Sequence, residues 1–213
     1  MHATNGVIRV SWQSRGQSLI VLPPEAATMG GRIPPLLGFC ERAASWLQSW
    51  GHPQGQFNVQ VHDEAPPLPS FRFDAPAVGE PGGPLIPDPY VLGTSGFSAV
   101  RNSFQLQPLP PWEQRLPSAI WRGSSTGTAS LRRSNLAENL RYQLCQLSQR
   151  WPQLLDARFT AVVQGADPIE QNLLTAQLRA DGYLAPRLTP WHLALHRWLI
   201  EIDGNVNSWG LLW

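Results

Sequence analysis

Proline decides how this chain can be read. More than half of its 21 prolines fall between Pro66 and Pro117. A residue with a fixed φ and no amide hydrogen cannot continue a helix or a central strand. The segment 64–117 therefore separates two stretches of regular periodicity. It spans about fifty residues, long for a structureless loop. Phe71, Phe73, Tyr90, Phe97 and Phe104 supply anchors of a kind that disordered segments lack. The expectation is an ordered but irregular wall of short strands and turns.

Upstream, Val7–Trp12 and Ser18–Leu22 read as a hairpin around Ser14–Gln17. Pro34 and Pro35 then open a helix whose apolar positions Leu36, Leu37, Cys40, Ala43, Ala44, Leu47 and Trp50 recur every three or four residues until Gly51. A strand over Phe57–Val61 follows and ends in His62-Asp63-Glu64. Downstream, Ser118–Trp121 is a strand running into Arg122-Gly123-Ser124-Ser125-Thr126-Gly127. Leu136, Leu140, Leu144 and Leu147 predict a helix with Asn135 as its N-cap. Leu155–Val162 is a strand, 168–179 a helix led by Pro168, Thr189-Pro190-Trp191 the opening of a short helix, and Arg197–Ile202 a last strand. Such alternation predicts an α/β fold with a parallel sheet.

Composition narrows the chemistry. Sixteen basic against fifteen acidic residues leave a formal charge of +1, too little to recruit nucleic acid or an anionic membrane by field alone. All the basic residues are Arg, which excludes a Schiff-base lysine and a P-loop lysine. Cys40 and Cys145 are too few for a disulfide framework or a cysteine-rich zinc site and read as buried thiols. No run approaches the ~18 apolar residues that span a bilayer, and the residues after Met1 lack the layout of a secretory signal. The expected location is cytoplasmic, or the cytoplasmic face of an inner membrane.

Three segments could carry chemistry. Arg122–Gly127 follows a strand and precedes a helix, where open α/β sheets bind ligands; its glycines, hydroxyls and guanidinium suit phosphate oxygens. The same composition also serves a plain connecting loop. Asp203-Gly204-Asn205 with Asn207 and Ser208 ends the last strand in a second such turn, equally an ordinary Asp-Gly turn with a capping Ser. Asp63 at its strand end could act as a general base or be a solvated turn residue. His192 and His196 lack the glutamate of a zinc-protease helix and read as packing or surface residues.

Taken in order, these segments resemble glycosyltransferase family 90, which holds protein O-glucosyltransferases, capsule-associated xylosyltransferases and lipopolysaccharide-modifying enzymes. Asn58–Asp63 is similar to its strand-to-aspartate motif and Ala119–Thr126 to its aromatic-Arg-Gly-Ser-x-Thr segment. Leu154–Thr160 is similar to its Leu-x-Asp-Ala-aromatic stretch. Arg197–Asn205 with Ser208 resembles its Lys-Tyr…Asp-Gly-Asn-x-x-Ser signature, with Arg197-Trp198 in place of Lys-Tyr.

The resemblance implies a GT-B-like α/β enzyme of two Rossmann-like halves, inverting and metal-independent. Residues 1–115 would form the acceptor-side domain and 116–213 a partial donor domain, since the family continues beyond the point matching Trp213. Asp63 would be the catalytic base. Arg122, Gly123, Ser124, Ser125 and Thr126 would line the diphosphate, and Asp203, Gly204, Asn205, Asn207 and Ser208 the second donor loop. The implied partners are a nucleotide-sugar co-substrate and a glycan or lipid-linked sugar acceptor, of the lipopolysaccharide-precursor type, with no other cofactor and no nucleic acid. The alternative is a non-catalytic remnant that serves as a binding module or folds poorly.

Overall fold

The computed structural model describes residues 6–13, 18–62, 70–73, 83–128 and 130–202. The chain divides into two compact units, Met1–Ser98 and Ala99–Trp213, against an expected boundary between 115 and 116.

In the first unit, β1 (Val7–Trp12) and β2 (Ser18–Val21) pair antiparallel with Val10 opposite Ile20; the turn expected at Ser14–Gln17 lies outside the described residues. Helix α1 (Ile33–Ser49) carries Pro34 and Pro35 in its first turn, where amide hydrogens have no intrahelical partner. It ends before Gly51, whose φ of +89° suits a residue without Cβ. Ile33, Leu36, Cys40 and Ala44 form its buried stripe and pack with Ile8, Val10, Val59, Val61 and Phe73.

Strand β3 (Gly55–Gln60) pairs antiparallel with the other edge of β1, giving the order β2-β1-β3. Both β2 and β3 run against β1, so they are parallel to each other and α1 crosses between them. Beyond β3, parallel bridges join Val59 to Phe71 and Arg72 to Leu85. A Rossmann-like half expects parallel pairing throughout. Here the sheet is antiparallel, with parallel pairing only at these outer bridges.

Two helices interrupt the stretch expected to be irregular. The first, α2 (Pro89–Gly93), is capped by Asp88, which accepts from the Tyr90 amide at 2.7 Å. The second, α3 (Ser98–Leu106), has no buried residue. From Tyr90 on, both fall in the proline-free stretch 90–107, the longest in the segment over which backbone amides are available without interruption, with Pro89 at the first position of α2, where no amide hydrogen is needed.

The second unit alternates as expected: β4 (Leu116–Ser124), α4 (Leu140–Arg150), β5 (Leu155–Ala161), α5 (Pro168–Ala180), α6 (Pro190–Ala194) and β6 (His196–Leu199). Its sheet runs β5-β4-β6, with β4 parallel to both neighbours. Trp121, Leu136, Cys145, Ala157, Phe159, Leu174 and Leu178 form its core.

Two expectations about α4 are corrected. Its N-cap is Asn139, which accepts from the Tyr142 amide at 3.0 Å, and not Asn135, whose carboxamide accepts from the Arg132 amide. Its leucines only partly form the buried face: Leu136, just before the helix, is in the core and Leu144 packs against it, but Leu140 is 59% and Leu147 46% exposed. The buried side is Arg141, Cys145 and Ser148. Ser148 explains part of this, because its hydroxyl donates to the Leu155 carbonyl and accepts from the Ala157 amide, both at 2.9 Å. The helix thus meets β5 through hydrogen bonds as well as apolar contact.

Candidate functional site

The order β5-β4-β6 means that the chain leaves β4 toward one side for β5 and returns on the other side for β6. The crevice between β4 and β6, outside their carboxyl ends, is a topological switch point, where α/β sheets place ligands. Ser124–Gly127 continues from β4 on this rim, and Ile202 follows β6.

One side chain joins the two. Arg141, the second residue of α4, donates from Nη1 to the Ser124 carbonyl at 2.8 Å and to Thr126 Oγ1 at 2.5 Å. From Nη2 it donates to the Ile202 carbonyl at 2.9 Å. Its guanidinium carbon lies 5.7 Å from the Trp121 ring centroid, a cation–π contact, and the residue is only 8% exposed. A single planar fork therefore reaches both strand ends. Asn139 adds to this seat: its amide nitrogen donates to Thr128 Oγ1 at 3.1 Å while its oxygen caps α4.

The residues singled out in the first of these turns have separate roles. Arg122 turns its guanidinium to β5: Nη2 meets Asp156 Oδ2 at 2.6 Å, and Nη1 donates to the Trp121 and Asp156 carbonyls. The side chain is 10% exposed, and Nε is buried with no hydrogen-bond partner among the described residues. Asp156 also lies 3.6 Å from Arg158 Nη1, so this carboxylate sits between two guanidinium groups.

Gly123 leaves room for the Trp121 ring. Ser125 is fully buried; its hydroxyl donates to the Val163 carbonyl at 2.7 Å and accepts from the Val163 amide at 2.8 Å. That reciprocal pair carries the β4–β5 pairing past the irregularity at Gly123/Ser124. Thr126, as an acceptor from Arg141, and the Ser124 carbonyl are thus the parts of the turn bound to the guanidinium that also holds Ile202.

Asp63, Asp203, Gly204, Asn205, Asn207 and Ser208 lie outside the described residues. The approach to Asp63 is described. The Val61 amide donates to the Gly6 carbonyl at 3.0 Å, and His62 Nε2 stands 3.2 Å from Glu25 Oε1. Glu25 also accepts from the Gly6 amide. Its own backbone amide, and then that of Gly6, hold its carboxyl below the usual carboxylate range.

His196 packs at the start of β6 with Nδ1 3.0 Å from Ser118 Oγ; burial pushes its pKa down, against the opposing pull of Asp156. Cys40 and Cys145 are buried free thiols. Among the described residues, no three His, Cys, Asp or Glu side chains group as metal ligands do, and no helix is long and apolar enough to cross a membrane. A separate groove of about 900 Å³ lies in the first unit beside α1, lined by Phe39, Arg42, Trp46, Phe71, Leu85 and Pro87 among others.

Nothing in the sequence motifs singles out Arg141 or Asn139. Arg141, Cys145 and Ser148 recur at helical spacing between the leucines, a polar and small-residue stripe that marks the buried side. A leucine count alone favours Leu140 and Leu147, which are exposed. No known family profile matches this chain, and no solved structure matches it.

Proposed function

We propose that the chain is an inverting, metal-independent glycosyltransferase of the GT-B-like class that takes a nucleotide-sugar donor at the carboxyl ends of β4 and β6. The observation that carries this reading is the convergence of the Ser124–Thr126 turn and Ile202 on one guanidinium at a parallel-sheet switch point. In sequence, Ile202 immediately precedes Asp203-Gly204, the start of the second segment this reading assigns to the donor. Strand ends of this kind present amides and small polar groups to an anion.

In the reaction, the carboxylate of Asp63 takes the acceptor hydroxyl proton as that oxygen bonds to the anomeric carbon. The bond from the anomeric carbon to the phosphate oxygen breaks, and the nucleoside diphosphate leaves with the electron pair. Charge grows on that phosphate through an oxocarbenium-like transition state. Donors fixed in advance near the leaving oxygen stabilise it; loss of one typically costs ~10²–10³ in rate. The Thr126 hydroxyl is the described donor this reading assigns to it, since the Ser125 amide is already bonded to the Ala161 carbonyl; Asp203, Gly204, Asn205, Asn207 and Ser208, outside the described residues, are assigned to the donor by the sequence resemblance alone. Arg122 joins Thr126 only by leaving Asp156, so its contribution is charge at a distance. The acceptor is a glycan or lipid-linked sugar hydroxyl.

Calorimetric titration with uridine and guanosine diphosphates, and with the bare nucleosides, tests the donor site. The expected result is binding of one diphosphate well above its nucleoside, retained in Asp63→Asn while sugar transfer is lost. Binding of neither diphosphate, or equal loss of binding in Asp63→Asn, overturns the reading.

A further inference from the structure

We infer that Arg141 is a positioning residue that couples the Ser124–Thr126 turn to the backbone at Ile202, holding the two in one geometry without itself being the ligand's contact. The inference deepens the reading above and rests on it for the identity of the ligand.

Arg141 is held from two directions. Its donors go to acceptors in two segments far apart in sequence, Ser124 and Thr126 after β4 and Ile202 after β6. Among the described residues the two segments share no backbone ladder at this point: β6 ends at Leu199, and the Ile200 amide donating to the Ile120 carbonyl at 3.0 Å is the last backbone bond between the two strands. Past that bond, the guanidinium is the described link across the rim.

The guanidinium is itself held in place. Trp121 lies under it at 5.7 Å, and the Phe159 ring meets Trp121 edge-on at 5.5 Å. Gly123 leaves the space in which the indole sits. At the helix end, Asn139 fixes the start of α4 to Thr128, two residues before Arg141 in the chain. The rotamer is therefore set by packing on one side and by a capped helix on the other. Swinging the side chain toward a ligand would break three hydrogen bonds of a buried group, each to be replaced or lost at full desolvation cost. A fixed fork serves better as a brace than as a gripping group.

A lysine cannot reproduce this brace. It keeps the charge but lacks the planar fork that serves two segments at once. The conservative variant therefore separates charge from geometry.

The test compares the 213-residue chain with Arg141→Lys and Arg141→Met, using Ser125→Ala as a variant weakened elsewhere in the same turn. Thermal melting first shows which variants fold. Uridine and guanosine diphosphates and their nucleosides are then titrated calorimetrically, and amide hydrogen exchange is followed at 124–128 and 200–202. Both Arg141 variants should weaken diphosphate binding by about tenfold or more, in the usual range for coupled sites. Nucleoside binding should stay within about twofold, and exchange should rise in both segments together. Ser125→Ala should raise exchange in the first segment alone. Wild-type diphosphate affinity in Arg141→Lys, or faster exchange in one segment only, overturns the inference. A wild-type chain that binds neither diphosphate overturns the donor-site reading instead, and the exchange comparison then decides the coupling by itself.

Discussion

The indole of Trp121 lies against Gly123 so closely that a Cβ on Gly123 would stand 2.5 Å from Trp121 Cζ2. No φ constraint is involved; the glycine is there for space. Gly123→Ala must move a buried ring that also carries the Arg141 contact, and overpacking of this kind typically costs about 1–3 kcal/mol. The expected outcome is a lowered melting temperature together with a changed tryptophan fluorescence spectrum in the folded state. An unchanged melting temperature would show that the ring has room to give.

Ser125 makes a different kind of contribution. Ser125→Ala removes an oxygen that both donates to and accepts from Val163 inside the protein. Two backbone groups lose their partner, a loss worth about 1–3 kcal/mol for each buried group left unsatisfied. Chemical denaturation should show reduced stability with the slope unchanged. Relative affinity for diphosphate over nucleoside should stay as in the wild type, because this hydroxyl is already engaged within the fold.

The two thiols should be inert in the folded protein. Burial pushes both Cys40 and Cys145 up to about 12, far from the thiolate form that attacks disulfides. Ellman's reagent at pH 8 should register neither thiol until denaturant is added and both thereafter. Rapid labelling of either under native conditions would place that thiol outside the core.

Acid should act through Glu25 and His196, with separable signatures. The Glu25 carboxyl is held below its ordinary range when folded, so its contribution is present above the unfolded carboxyl value of about 4.3 and is lost as pH falls through the folded value. Glu25→Gln should therefore be less stable than wild type at neutral pH, with the gap closing in strong acid. His196 is pushed down by burial, so the unfolded chain takes the proton first and stability declines as pH drops below about 6.5, levelling off below the folded value. His196→Gln should flatten that upper part of the curve alone. Urea titrations across the range check both.

Much of the architecture was legible because periodicity is local. The stripe Leu36, Cys40, Ala44 in α1 and the alternation from β4 to β6 follow from spacing alone, and the structure has them where the spacing put them. The buried face of α4 was not legible from hydrophobicity, because Ser148 and Arg141 answer to hydrogen-bond acceptors on strands distant in sequence. A side chain that serves two segments leaves no mark in either one. The same holds for Arg122, whose basic character suggests an anion while its partner Asp156 sits on the next strand. In the proline-rich segment, composition hid α3, since the average over fifty residues says nothing of its longest proline-free stretch, 90–107.

The placement of β1 between β2 and β3 has a consequence for how the first unit assembles. The hairpin closes over a few residues and can zip within about 1–10 μs. The other edge of β1 must wait until α1 has carried the chain around to β3, a closure whose entropic penalty grows only with the logarithm of its length. Until then Val7–Trp12 presents one satisfied edge and one open edge. The second edge is the slow, non-local step of this unit, and the stretch of nascent chain most exposed to pairing with the wrong strand.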